Sequence, residues 1–407
     1  MTNLGHFCRL ALRTVANAFT LGLGSAIAVV LTLLASPAAQ AQIPCGGTIT
    51  PLPTLFVNWP QYRFDMRNGG CNPYENVLAP TTVGDLVLDW KYATDDAIDV
   101  NSPAVANGLV YISSWDYNLY ALNARTGAFI WKFVTGFFID SSPAVANGVV
   151  YVGSEDGNIY ALNASTGTLV WKYFADGDVY SSPTVVDGAV YIGGGQEVYA
   201  LDANSGSLRW KYATGNLVHP KPAVANGVVY IGSEDGNVYA LNASTGALIW
   251  DYGTGDYVVS SPAVASGMVY VGSTDSNIYA LNASTGTLIW KYATGDLVVS
   301  SPAVANGVVY IGSGDDNVYA LNASTGALIW EYRTGDEVRW SSPAVANGVV
   351  YVGSEDGNVY GLNAKTGALI WKYATGNLVD SSPAVANGVV YVGSDDHNLY
   401  AFHLPGH

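Results

Sequence analysis

Eight tryptophans recur about every forty residues: Trp90, Trp131, Trp171, Trp210, Trp250, Trp290, Trp330 and Trp371. Their successive spacings are 41, 40, 39, 40, 40, 40 and 41. A fixed period of this size means one supersecondary unit repeated, each copy burying its apolar face on the next. The unit is seen in Ser142–Ser154, which reads Ser-Pro-Ala-Val-Ala-Asn-Gly-Val-Val-Tyr-Val-Gly-Ser, then Asn158–Gly167, then Thr168–Tyr173 with its tryptophan.

Each unit contains four short β-type runs. Asn147-Gly148 separates the first two and predicts a type I′ hairpin turn, because both central residues of that turn need positive φ. Asp156-Gly157 and Thr166-Gly167 mark the next two corners. No sustained 3.6-residue apolar period follows residue 45, so no long helix is expected. The middle runs are apolar nearly throughout, as in strands covered on both faces. An isolated four-stranded sheet lacks that cover, whereas blades stacked around a channel supply it. A solenoid would need atypical polar caps at its ends, and none is visible.

The chain ends set the blade count. A proline opens the first run eight times, at Pro103, Pro143, Pro183, Pro222, Pro262, Pro302, Pro343 and Pro383. The glycine turn before a tryptophan occurs seven times, at Gly127, Gly167, Gly206, Gly246, Gly286, Gly326 and Gly367. The last unit, Ser382–Phe402, lacks a tryptophan strand, and Leu86–Tyr92 is a tryptophan strand with no unit before it. The predicted fold is therefore all-β: an eight-bladed β-propeller of four-stranded antiparallel blades, closed by Leu86–Tyr92 pairing near Asn398–Phe402.

Ala161–Trp171 reads Ala-Leu-Asn-Ala-Ser-Thr-Gly-Thr-Leu-Val-Trp. It resembles the docking motif of PQQ-type (pyrroloquinoline quinone) propeller repeats, and it recurs at Ala121, Ala200, Ala240, Ala280, Ala320 and Gly361. The resemblance spans residues 58–404. It implies that each tryptophan packs on the glycine turn of an adjacent blade. The family includes quinoprotein alcohol dehydrogenases and the outer-membrane assembly lipoprotein BamB; exported single-propeller members are the nearest in kind.

Arg9 and Arg13 precede an apolar stretch, Ala18–Ala35, followed by Ala39-Gln-Ala41. This pattern reads as a signal peptide over 1–41, with an uncleaved anchor as its alternative. An irregular arm, 42–82, carries six prolines and is expected to pack across the ring; the propeller occupies 83–407. Pro44 before Cys45 spoils a lipid-attachment motif. Cys45 and Cys71 are expected to form a disulfide in an exported chain. The chain charge is −16, which excludes nucleic acid as a natural partner. Acid concentrates at the second hairpin turn, in Glu155-Asp156, Glu234-Asp235, Asp315-Asp316, Glu355-Asp356 and Asp395-Asp396. Turn chemistry and solubility explain such pairs; a ring of weak calcium sites is the sharper alternative.

Departures from a uniform repeat locate a candidate site. Three residues before each proline stand Val100, Asp140, Tyr180, His219, Val259, Val299, Trp340 and Asp380. Blade four replaces Ser-Ser with Pro220-Lys221, and Arg339 precedes Trp340. Asp140, Tyr180, His219, Lys221, Arg339, Trp340 and Asp380 are the expected ligand-binding cluster at one end of the ring; variable residues that simply bind water are its alternative. Trp115-Asp116-Tyr117 is a further departure, of a kind suited to a protein contact, with chance divergence of the repeat as its alternative.

No nucleophile–base set is visible. The resemblance implies that an enzyme of this family would hold PQQ beside an adjacent-cysteine disulfide, with calcium and an aspartate base. This chain has no adjacent cysteines. The expected function is a non-enzymatic, exported binding scaffold of monomeric form. It would have no cofactor, no metal and no membrane span after signal cleavage, and its partner would be another protein or a cell-surface polymer. The alternative is a PQQ- and calcium-dependent dehydrogenase or a PQQ-binding protein.

Overall fold

The computed structural model describes residues 58–406. The signal segment and Cys45 lie outside the described residues. Eight sheets follow one another along the chain. In the second blade the strands are Ala144–Ala146, Val149–Gly153, Asn158–Asn163 and Leu169–Phe174, paired antiparallel from the channel outward. Asn147 and Gly148 have φ of 51° and 77°, the two positive values the predicted hairpin turn requires. The middle strands are buried on both faces, as a strand between neighbouring blades must be. Among the described residues the helical content is one 3-10 turn, Val83–Asp85.

The ring closes as the sequence predicts. Val87–Ala93 pairs antiparallel with Asn398–His403, and Trp90 stands opposite Ala401, as Trp131 stands opposite Ala121. Trp131 shows how blades dock. Its indole N–H donates to the Ala164 carbonyl of the next blade at 3.0 Å. A Cβ on Gly167 would lie 2.6 Å from its ring, so only glycine lets the turn approach so closely. Trp90 docks in the same way onto Gly127 of the first blade. Trp371 meets the seam, where no such turn exists, and donates to the Leu86 carbonyl at 3.1 Å instead. Eight tryptophans and seven glycine turns are thus reconciled.

The Ser-Ser-Pro triplets form a girdle around the channel. The amide of Ser102 donates to the Ser142 hydroxyl, and that of Ser142 to Ser182. The chain of donors runs on from Lys221 through Ser261, Ser301, Ser342 and Ser382, and returns to Ser102. Lys221 interrupts the girdle because its side chain offers no acceptor.

Inside the girdle lies the arm. Innermost strands of a propeller present unpaired amides and carbonyls to the channel, and these must be satisfied. Trp59 exchanges two hydrogen bonds with Val105, and Val145 donates to Pro60. Val224, Val264, Val304 and Val345 donate in turn to Met66, Arg67, Gly69 and Gly70, and Asn72 donates to the Val385 carbonyl. Residues 59–72 therefore circle the channel wall and reach every blade but the third. Between Gln61 and Met66 the arm leaves the wall, with Arg63 and Phe64 at φ of 63° and 72°. Each left-handed non-glycine residue costs roughly 1–2 kcal/mol, so packing must hold this bend in place.

Candidate functional site at the channel mouth

The mouth lies where each connection descends into an innermost strand. A buried aliphatic residue fixes its height: Ile98, Ile139, Val179, Val218, Val258, Val298, Val338 and Val379. Val179 packs so tightly on Gly153 that an added Cβ would lie 2.3 Å from its Cγ1. The residue that follows each anchor faces equivalent surroundings. These residues are Asp99, Asp140, Tyr180, His219, Val259, Val299, Arg339 and Asp380. Counting back from the prolines places Val100 and Trp340 in that ring instead. Blades one and seven carry one extra residue between anchor and proline, so Asp99 and Arg339 take the equivalent places. Asp99 is the residue that the proline count misses, and the tryptophan spacings of 41 at these blades were its signal.

Two arcs of side chains form there. In the first, the Trp115 indole donates to Asp140 Oδ1 at 2.7 Å, and Asp140 shares a hydrogen bond with Glu155. Tyr180 stacks on His219, with ring centroids 4.6 Å apart and planes within 11°. His219 Nε2 lies 3.1 Å from Glu234 Oε1, in an orientation that makes no hydrogen bond. In the second arc Arg339 pairs with Glu337, and its Nε lies 3.8 Å from Glu355. Asp99, Asp380 and Asp395 bring their oxygens within 4.8 Å of one another. Asp140, Tyr180 and His219 are thus brought together, as are Arg339 and Asp380. Trp340 is 37% exposed beside Arg339. Lys221 does not join them: it is fully buried against the arm and donates to the Tyr62 carbonyl. Valines 259 and 299 leave blades five and six apolar.

Burial and crowding raise the carboxyls of this mouth. Desolvation pushes up Asp99 and Asp380; Asp395 raises Asp99 further, and Asp99 raises Asp380. Asp395 rises to about 6, chiefly through burial and then through Asp396. Burial also raises Asp140, Glu155 and Glu355. His219 is lowered by burial, against the pull of Glu234 and Asp140. The mouth therefore crowds carboxyls into a partly dry setting that favours their protonated form, and a cation or a hydrogen-bond donor there would offset the cost of their charge.

In four of the five turn pairs the second acid has a different task, and in Asp315-Asp316 the first acid has it. Asp156 accepts from the Tyr160 hydroxyl at 2.5 Å, the Gly136 amide of the preceding blade at 2.7 Å and the Asn158 amide at 2.9 Å. Burial pushes its carboxyl up, but these donors outweigh it and hold it below the usual range. Asp235, Asp275, Asp315, Asp356 and Asp396 repeat the clasp. Four of the turn pairs thus divide, the first acid facing the mouth and the second tying blade to blade, while in the fifth Asp315 is the clasp and Asp316 pairs with Arg333 at 2.9 Å.

The sequence profile of the family described as outer membrane protein assembly factor BamB matches residues 116–256, 235–339 and 335–404. This chain belongs to that PQQ-type propeller family. The structure of BamB from Moraxella catarrhalis superposes with a TM-score of 0.68 at 23% identity, covering 79% of this chain and 98% of that one. Quinohemoprotein alcohol dehydrogenase from Comamonas testosteroni gives 0.75 at 17% identity, covering 86% and 81%. At these identities the likeness is one of fold. Among curated proteins, quinohemoprotein alcohol dehydrogenase ADH-IIG of Pseudomonas putida is 32% identical over 112 residues, and the match spans 16% of its length.

Proposed function

We propose that the protein is an exported, non-enzymatic propeller that binds another protein or a cell-envelope polymer at its channel mouth. The observation that carries this reading is the arm. Residues 59–72 line the channel wall and send Tyr62 and Arg63 inward, so along the channel the space left to a ligand is the mouth above them. The mouth is rich in charge and aromatic surface, with Trp115, Tyr180 and Trp340 beside the carboxyls, a composition suited to recognition. Membership of the BamB-like family supports export and a protein partner. No helix of the described residues is long and apolar enough to cross a membrane.

The quinone alternative fits these residues poorly. A planar anionic cofactor would compete with the arm inside the channel, and at the mouth it would meet the raised carboxyls. Cys71 has no cysteine beside it in sequence, whereas the resemblance implies an adjacent-cysteine pair over the quinone. We read Cys71 as the partner of Cys45, closing the start of the arm. A photo-crosslinking residue at Tyr180 or Trp340, in cells that express the protein, tests the reading. A discrete adduct is expected from the mouth, lost on Asp140→Lys, and none from Leu288 on the outer rim. Equal labelling from the rim and the mouth would oppose it.

A further inference from the structure

We propose that Arg63 and Lys221 hold a small inorganic anion, a halide in the first instance, inside the channel. The two side chains are 2% and 1% exposed. Each lies 5.9 Å from the centroid of the Tyr62 ring, so both flank one residue of the arm. Arg63 donates from Nη1 to the Pro343 carbonyl at 2.8 Å, while its Nε and Nη2 are shielded from solvent and meet no acceptor. Lys221 has three donors and one protein acceptor, the Tyr62 carbonyl. Among the described residues no carboxylate lies within 4.0 Å of either group. Asp65 acts on both from further away, and its Oδ1 accepts from the amides of Arg67 and Gly69.

Two buried cations without a counter-charge are strongly disfavoured. Burial answers in part by lowering the Lys221 ammonium well below its ordinary range and Arg63 to about 10. An anion shared between them answers both the charge and the unmet donors of Arg63. The local chain is arranged for it. Lys221 displaces the serine that completes the girdle in other blades, and the left-handed bend at Arg63 and Phe64 delivers the guanidinium inward. Both groups are buried, so an anion shared between them must be small, which is why a halide is favoured. The inference is independent of what binds at the mouth.

Crystals of the exported protein soaked in sodium bromide provide the probe. A bromide anomalous peak is expected in contact with Arg63 Nε or Nη2 and Lys221 Nζ. In solution, Tm should rise saturably with bromide or chloride against gluconate at matched ionic strength. Lys221→Ser restores the girdle residue, so this variant should fold and lose the halide-dependent rise; Arg63→Met should lose it also. The absence of a peak together with equal Tm in bromide and gluconate would overturn the proposal. So would a halide effect of unchanged size in Lys221→Ser, a result that does not depend on Arg63→Met folding.

Discussion

The repeat puts side chains of one type to opposite uses, and the carboxylates show it best. Those of the interblade clasps, such as Asp275, are held low by their donors. Their contribution is present above the ordinary carboxylate range and is lost as pH falls through their depressed values. Those of the mouth are raised, so the folded state holds protons that the unfolded chain has released. Their effect is to lower stability as pH climbs from about 4 through the raised values. Asp380→Asn should therefore stabilise the protein by about 1 kcal/mol or more at pH 8 and much less near pH 4, measured by denaturant melts across that range. A gain independent of pH would contradict the assignment. The tryptophans are simpler. Trp250 is 8% exposed and donates to the Ala283 carbonyl at 3.0 Å. Trp250→Ala should cost about 3–5 kcal/mol, read from the shift in denaturant midpoint.

At the scale of strands, the seam and the arm are the elements without a copy elsewhere. Val87–Ala93 gives the last blade its outer strand, so its deletion should leave Asn398–His403 as an open edge. Aggregation in size-exclusion chromatography is the expected result; a monomer with unchanged melting would contradict closure by this strand. The arm's disulfide has its own check. Non-reducing peptide mapping should link Cys45 to Cys71, and reduction should loosen the arm while the blades, which contain no cysteine, stay folded. Two free thiols would remove the pairing. The seam was legible in the sequence because a tryptophan strand without a unit and a unit without a tryptophan strand must complete each other. The arm's path was not. Trp59, Met66 and Gly70 contribute backbone groups, which carry no mark of residue type, and the partners they find lie some 45 to 275 residues further along the chain.

At the scale of the molecule, periodicity made the fold readable and uniformity hid the site. Asp140, Tyr180, His219 and Asp380 stood out because they break a repeat. Asp99 did not, since an extra residue shifts the frame that the prolines set. Lys221 stood out for the right position and the wrong height: it departs from Ser-Ser, yet its long side chain turns down into the channel rather than up to the mouth. Glu155 and Glu355 merged with the clasp residues beside them, because an acidic pair at a turn reads as a single feature until the backbone separates its members. The account that results is a closed ring, lined by its own arm, for which we propose recognition of a partner at one mouth. The measurement that tests it most directly is titration of the purified protein with PQQ and calcium, following tryptophan fluorescence and dye-linked oxidation of alcohols. The account predicts no saturable quenching and no dye turnover. Saturable quenching accompanied by dye reduction would contradict it and place the protein among the quinoprotein dehydrogenases.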